Sequence, residues 1–212
     1  MILAIDTSTA ACSAALFDSA GHCVGQRDEL IGRGHSERLV PMIDELLEGR
    51  VASRILVGVG PGSFTGIRVG IAAAQGLAIG WDAELAGMSS LALLAAGAAG
   101  AAPVAAAMHG GHGELLVQEF DLPSLSTSAP LLNLPPQAAA AMVSSDLVVG
   151  PAASDLVVAR GWGKATEAWP RAANALKLPD ELRTLPARPV YARAPDARVR
   201  PSSLIGTASR AA

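Results

Sequence analysis

Apolar residues come in short runs separated by polar breaks from the beginning of the chain. Residues 2–5 form one run, which stops at Asp6-Thr7-Ser8-Thr9. Residues 11–17 form the next, closed by the turn signal Asp18-Ser19-Ala20-Gly21, and residues 23–30 resume with mixed character. This spacing predicts two or three antiparallel strands; the alternation is weak because Ala fits either face. Gly34-His35-Ser36-Glu37 opens a helix, with Ser36 as N-cap and Glu37 in the first turn. Leu39, Val40, Ile43, Leu46 and Leu47 form its apolar stripe, Pro41 falls in the tolerant early turns, and Gly49 ends it. Residues 54–59 read as a strand. A glycine-rich turn leads from there into a helix from about residue 65 to residue 80. Along that helix Gly66, Gly70 and Ala74 recur every four residues, so their small side chains share a face that a neighbouring helix could approach closely.

The second half echoes the first. Residues 88–99 have a helical pattern started by Ser89 or Ser90. Residues 103–108 and 114–120 are strands joined by the turn His109-Gly110-Gly111-His112-Gly113. A helix at 135–143, a strand at 146–149 and a short helix at 153–160 follow, and residues 161–187 are poorly patterned. The expectation is an α/β protein of two related lobes, residues 1–100 and a smaller 101–212, with the boundary near residues 97–103. Sequence similarity between the halves is too weak to establish a duplication.

Composition narrows this picture. Half of the 212 residues are hydrophobic while only 3% are aromatic, so the core must be built from Ala, Val, Leu and Ile. A net charge of −3 argues against a chain that grips nucleic acid unaided, since neutralising phosphates takes many Lys and Arg. The charge is uneven, with six Arg and one acid, Asp196, from Arg183 onward. Cys12 and Cys23 lack metal spacing and suggest no disulfide scaffold. No basic, apolar leader precedes Ile2, and Gly, Pro or charge interrupts each Ala-rich run, so a soluble cytoplasmic protein with no membrane association is expected.

Candidate chemistry centres on Gly58-Val59-Gly60-Pro61-Gly62-Ser63, which opens a helix. Such turns can cradle phosphate on backbone N–H groups. This one has neither the P-loop spacing with its Lys nor the dinucleotide-binding spacing, and a tight turn with close helix packing explains it better. Asp6, Thr7 and Ser8, where the first strand ends, could contact a nucleotide phosphate and its cation; equally, they could bond the backbone of a hairpin turn. His109 and His112 lie in a glycine turn rather than one helical turn apart, a poor metal site. Ser63 is not in a nucleophile-elbow pattern. No catalytic constellation is complete, and no catalytic or metal-ligating residue is assigned.

Three stretches, ILAIDTSTAACSAALFD, GHSERLVPMIDELL and GVGPGSFTGIRVGIAAAQGLAIGW, together with the later RPVYARAPD, resemble the TsaB family of bacterial proteins, densely over residues 2–94 and sparsely afterwards. The resemblance implies a two-lobed actin-like, hexokinase-like (duplicated ribonuclease H-like) fold without an intact metal site. It implies a non-catalytic subunit that binds and activates TsaD, the subunit that transfers the threonylcarbamoyl group to the adenosine beside the anticodon of tRNA. TsaD's H-x-x-x-H motif has no counterpart here, where the stretch reads GMSSLALLAAG. Partners implied are TsaD, other complex members such as TsaE, a second copy of the chain in TsaD's absence, and tRNA only through the complex. The chain would have no cofactor of its own, with ATP or ADP bound at the complex interface. The helices containing Leu39, Ile43 and Leu46 and Gly66, Gly70 and Ala74 are the implied docking elements. One departure is that Met108 to Glu114 lack the family's Asp and Arg in the second hairpin, although Gly113-Glu114 is kept; another is the short link EGRVASRI. The other readings are an actin-like ATPase or kinase acting alone, through Asp6-Thr7-Ser8 and the His109–Gly113 turn, and a metallopeptidase, which the missing H-x-x-x-H opposes.

Overall fold

The computed structural model describes residues 1–100, 102–127 and 129–192. The arginines from Arg193 onward, which carry most of the Arg-rich tail, lie outside the described residues.

Strands β1 (Ile2–Asp6), β2 (Ala11–Phe17) and β3 (Cys23–Leu30) form an antiparallel meander. Helix α1 (His35–Leu47) then crosses to β4 (Arg54–Gly58), and α2 (Phe64–Trp81) crosses to β5 (Glu84–Met88). Both later strands run parallel to β1, giving the order β3-β2-β1-β4-β5. After α3 (Ser90–Ala95) the plan repeats. Strands β6 (Val104–His109) and β7 (Leu115–Asp121) form the hairpin, extended by β8 (Ser126–Thr127) and β9 (Leu132–Leu134). Helix α4 (Pro136–Ala140) leads to β10 (Leu147–Val149), and α5 (Ala153–Arg160) leads to β11 (Lys164–Thr166). The second sheet has the order β11-β10-β6-β7-β8 with β9 also on β7. The same succession of hairpin, helix, parallel strand, helix, parallel strand occurs twice, so the duplication hidden in the sequence is explicit in the topology.

Strand periodicity sorts the core into layers. Leu3 and Ile5 of β1 and Ile55 and Val57 of β4 face α1 and α2. Ala4 and Leu56, on the other face, join Met88, residues 91–95 of α3, Val104, Met108 and Phe120 in a central layer between the sheets. Ala105 and Ala107 face α4 and α5 beyond the second sheet. Strand β2 is buried along its full length, which explains why its alternation was weak: Ala11, Ala14 and Ala15 allow close approach on both faces.

Several local expectations need correction. The cap position of α1 is Gly34, in the left-handed region at φ 90°, and no side chain caps it; the Ser36 hydroxyl donates to Glu37 instead. Met42 replaces Val40 on the buried face of α1, Val40 being 52% exposed, and Pro41 sits inside the helix on its exposed side. Met88 ends strand β5, which the sequence reading missed, and the Ser89 side chain accepts from the N–H of Ala92 to start the short α3. Residues 161–187 are not featureless: they hold β11, a 3-10 segment at Ala172–Lys177 and α6 (Asp180–Arg183). This segment leaves the second lobe and returns to the first. The N–H of Ala172 donates to Ser13 Oγ at 2.7 Å, Leu185 pairs with Gly87, and the N–H of Val190 donates to the carbonyl of Val59 at 2.8 Å. In space, therefore, residues 172–190 belong with the first lobe.

Candidate functional site

The turn after β1 and the glycine loop before α2, the two stretches singled out as anion candidates, fill each other. Asp6 is buried, and its carboxylate accepts three hydrogen bonds: from the Ser8 N–H (2.9 Å), the Ser8 hydroxyl (2.7 Å) and the Ser90 hydroxyl (2.6 Å). Burial pushes its carboxyl above the ordinary range, against the pull of these donors and of nearby His35. Thr7 donates through its hydroxyl to the Gly66 carbonyl (2.8 Å), and the N–H of Ser63 donates to the Ser8 carbonyl (2.7 Å). Ser63 also caps α2 by accepting from the N–H of Gly66.

The glycines supply the room. A β-carbon at Gly58 would strike the Asp6 carboxylate, at Gly62 the Ser8 carbonyl, at Gly66 the Thr7 carbonyl and at Gly70 the Thr7 hydroxyl. All four point at the same three residues, so the loop is glycine-rich in order to hold two pieces of backbone together. Asp6 and Thr7 have their polar atoms committed inside the protein. Only Ser8 of the three anion candidates reaches the cleft between the lobes, a cavity of about 240 Å³ also bordered by Thr9, Ser63, His109, Pro151 and Trp169. The fold thus brings the first turn and His109 to one cleft, but with the carboxylate sealed away from it.

The remaining candidates do not assemble into chemistry. His109 Nε2 lies 2.8 Å from Asp155 Oδ2 in an exposed pair. His112 occupies a left-handed position (φ 57°) in the tight turn between β6 and β7. Among the described residues no three His, Cys, Asp or Glu side chains are grouped to hold a metal. Cys12 is buried, and burial pushes its thiol up to about 12, so it is a poor nucleophile. No described helix is long and apolar enough to cross a membrane.

The six residues expected to form a docking surface are interior. Leu39, Ile43 and Leu46 pack into the layer beneath the first sheet, and Gly66, Gly70 and Ala74 are buried on the inner side of α2 against β1 and β4. The small residues do allow a close approach, but at Gly66 and Gly70 it is the chain's own Thr7 that makes it, not a neighbouring helix. A second stripe with the same spacing escaped notice: Ala72, Gly76 and Gly80 lie on the exposed side of α2, and nothing stands within 4 Å of a β-carbon at Gly76 or Gly80. Phe64 and Ile79, 57% and 85% exposed, extend this outer face. Phe64 stacks on Tyr191 at 5.2 Å between ring centres, and the guanidinium of Arg68 lies over the Phe64 ring, 5.0 Å from its centre. The available signal was that glycines cost stability inside a helix unless something needs the space. Four glycines in one helix exceeded what a single packing face required.

The comparisons with known proteins agree with this architecture. The family model described as TsaD, tRNA N6-adenosine threonylcarbamoyltransferase, matches residues 25–125. The tRNA threonylcarbamoyladenosine biosynthesis protein TsaB of Escherichia coli (strain K12) is 44% identical over 95 residues, which cover 42% of this chain and 40% of that protein. Its namesake from Haemophilus influenzae is 44% identical over 98 residues, covering 42% and 39%. The matched segment therefore spans about two-fifths of the curated relatives' length. Solved structures extend the likeness to both lobes. YeaZ from Pseudomonas aeruginosa superimposes with a TM-score of 0.74 at 31% identity, over 90% of this chain and 98% of that one. A second structure, described as an uncharacterized protein with similarity to peptidase YEAZ from Pseudomonas aeruginosa, gives 0.76 at 32% identity over 91% and 99%. Since a YeaZ structure is matched at 31% identity over 90% of this chain and nearly its own whole length, and TsaB proteins are 44% identical over about two-fifths of this chain, the chain belongs to the TsaB (YeaZ) family.

Proposed function

We propose that this chain is a non-catalytic subunit that binds and activates TsaD for transfer of the threonylcarbamoyl group to the adenosine next to the anticodon of tRNA. The observation that carries the reading is the sealed Asp6. In a chain with the two-lobed fold of an ATPase, the carboxylate placed to meet a phosphate-bound cation is turned into a packing element, held by Ser8 and Ser90 and covered by Gly58. What remains exposed for function is surface. The outer face of α2 presents Phe64, Arg68, Ala72, Gly76 and Ile79, apolar side chains around small residues that let a helix of TsaD approach closely. The same strip serves a second copy of the chain when TsaD is absent. The tRNA is reached through the complex, TsaE joins that complex, and ATP or ADP sits at its interface rather than on this chain alone.

Titration of TsaD with the wild-type chain and with Gly76→Leu tests the docking surface. Saturable binding that the variant weakens at least about tenfold, a loss of 1.4 kcal/mol, supports it. Equal binding by the variant removes this face from the account. The reading of an ATPase or kinase acting alone predicts nucleotide turnover by the isolated chain that Asp6→Ala abolishes, and sealed Asp6 predicts none.

A further inference from the structure

The last described residues already lie against the start of α2. The N–H of Val190 donates to the Val59 carbonyl at 2.8 Å, and the Tyr191 ring stacks on Phe64, the first residue of the helix, at 5.2 Å. The chain therefore leaves this contact at the N-terminal end of α2, with Ala192 next and residues 193–212 after it. Arg68, Gln75 and Ile79 follow Phe64 along one side of the helix by their spacing, and Asp82 stands at its C-terminal end. All five side chains of this ridge are exposed, Ile79 to 85%. Gly76 and Gly80 lie to the side of it, with nothing within 4 Å of an added β-carbon.

The residues beyond Ala192 carry groups that match the ridge in the same order. Asp196 comes first, opposite in charge to Arg68. Leu204 and Ile205 follow, the one pair of adjacent large apolar residues in 193–212, and Arg210 comes last, opposite in charge to Asp82. Neither Arg68 nor Asp82 makes an ion pair with another described residue. The reach is sufficient. Ile79 stands about 22 Å along the helix from Phe64, and the chain from Ala192 to Leu204 spans up to about 40 Å when extended. A segment tethered at Tyr191 meets the ridge at an effective concentration of the order of millimolar, which favours it over a second copy in dilute solution.

We propose that residues 193–212 fold back along α2 in the free chain, with Asp196 near Arg68, Leu204 and Ile205 on Ile79 and Arg210 near Asp82, and that a partner must displace them to dock. The displacement rests on the docking reading above; the cover itself does not. Gly76 and Gly80 stay open beside the covered ridge.

Thiol labelling of the full-length chain tests the cover. In a chain carrying Cys23→Ser, buried Cys12 is the only native thiol, and Gln75→Cys places a reporter in the middle of the ridge. Adding Leu204→Asp/Ile205→Asp should speed maleimide labelling at Gln75→Cys at least about fivefold, the factor for a cover in place about 80% of the time. Labelling at Val158→Cys on α5, an equally open position remote from the ridge in the fold, should not change. Equal rates at Gln75→Cys with and without the double substitution would overturn the proposal. So would protection that deepens with chain concentration and survives the double substitution, since it belongs to a second copy. Titration with TsaD then reads the competition: the Leu204→Asp/Ile205→Asp chain should bind about fivefold more tightly. Equal affinity, in a chain whose ridge is shielded, overturns the displacement. Absence of TsaD binding by either chain contradicts the docking reading instead, and the labelling ratio still decides whether the segment covers the ridge.

Discussion

The Thr7 hydroxyl donates to the Gly66 carbonyl at 2.8 Å, while the Thr7 carbonyl occupies the place where a β-carbon of Gly66 would go. Two residues 59 positions apart thereby fix the first turn of α2 onto the end of β1. The contact has no slack. Gly66→Ala forces either the helix or the strand end to move and should destabilise the protein by about 1–3 kcal/mol, as overpacking of a close-packed interior does. Urea unfolding followed by circular dichroism measures the loss.

Gly76→Ala, ten residues further along the same helix, should have the opposite sign. Its β-carbon meets nothing, and Ala is favoured over Gly inside a helix by about 0.5–1 kcal/mol. The same unfolding experiment should therefore show a gain. A loss would mean that the outer face of α2 is covered within the chain itself.

Asp6 gives stability a distinctive pH dependence. Its carboxyl is raised by burial, so the folded state holds its proton to higher pH than the unfolded state does. The contribution is fully present below the unfolded value, about 3.9, and is lost as pH rises through the folded value. Asp6→Asn removes that loss. The stability difference between variant and wild type should thus move in the variant's favour as pH rises through this window. Asp6→Ala, which strips Ser8 and Ser90 of their acceptor, should be destabilised throughout. Unfolding curves from acid to neutral pH distinguish these outcomes.

Glu119 works in the opposite direction. Burial pushes its carboxyl up, but the hydroxyls and N–H groups of Ser145 and Ser144 all donate to it and hold it below the ordinary range. Its stabilisation is present above the unfolded value, about 4.3, and is lost as pH falls through the folded value. Glu119→Gln should weaken the tie between β7 and the start of β10 and flatten the acid limb of the unfolding profile.

The sequence made some of this legible and hid the rest for physical reasons. The hairpin, the two amphipathic crossings and the glycine loop were readable because each carries a local signal: a turn residue, a period or a cap. Strand β5 was not, because Glu84 to Met88 contains Gly87, kept free of a side chain by the close approach of Val59 and the Leu185 to Pro186 backbone, so its strand character depends on distant partners. The return of residues 172–190 to the first lobe was equally hidden, since it rests on partners far away in sequence: Ser13, the Leu93 carbonyl that accepts from Asn174, main-chain bonds and the burial of Ala172, Ala175 and Leu178. At the site, the spacing of Gly66, Gly70 and Ala74 correctly indicated close packing. Spacing alone cannot tell whether the neighbour is another chain or one's own strand, and here Thr7 is that neighbour.

The central claim, that the chain activates a catalytic partner without catalysing the reaction, is tested most directly by reconstituted tRNA modification. TsaD and its companion proteins, threonylcarbamoyl-adenylate and unmodified tRNA are combined with and without this chain. The account predicts modified adenosine only when the chain and TsaD are both present, and none from the chain without TsaD. Undiminished product on omission of the chain, or product from the chain without TsaD, would contradict it.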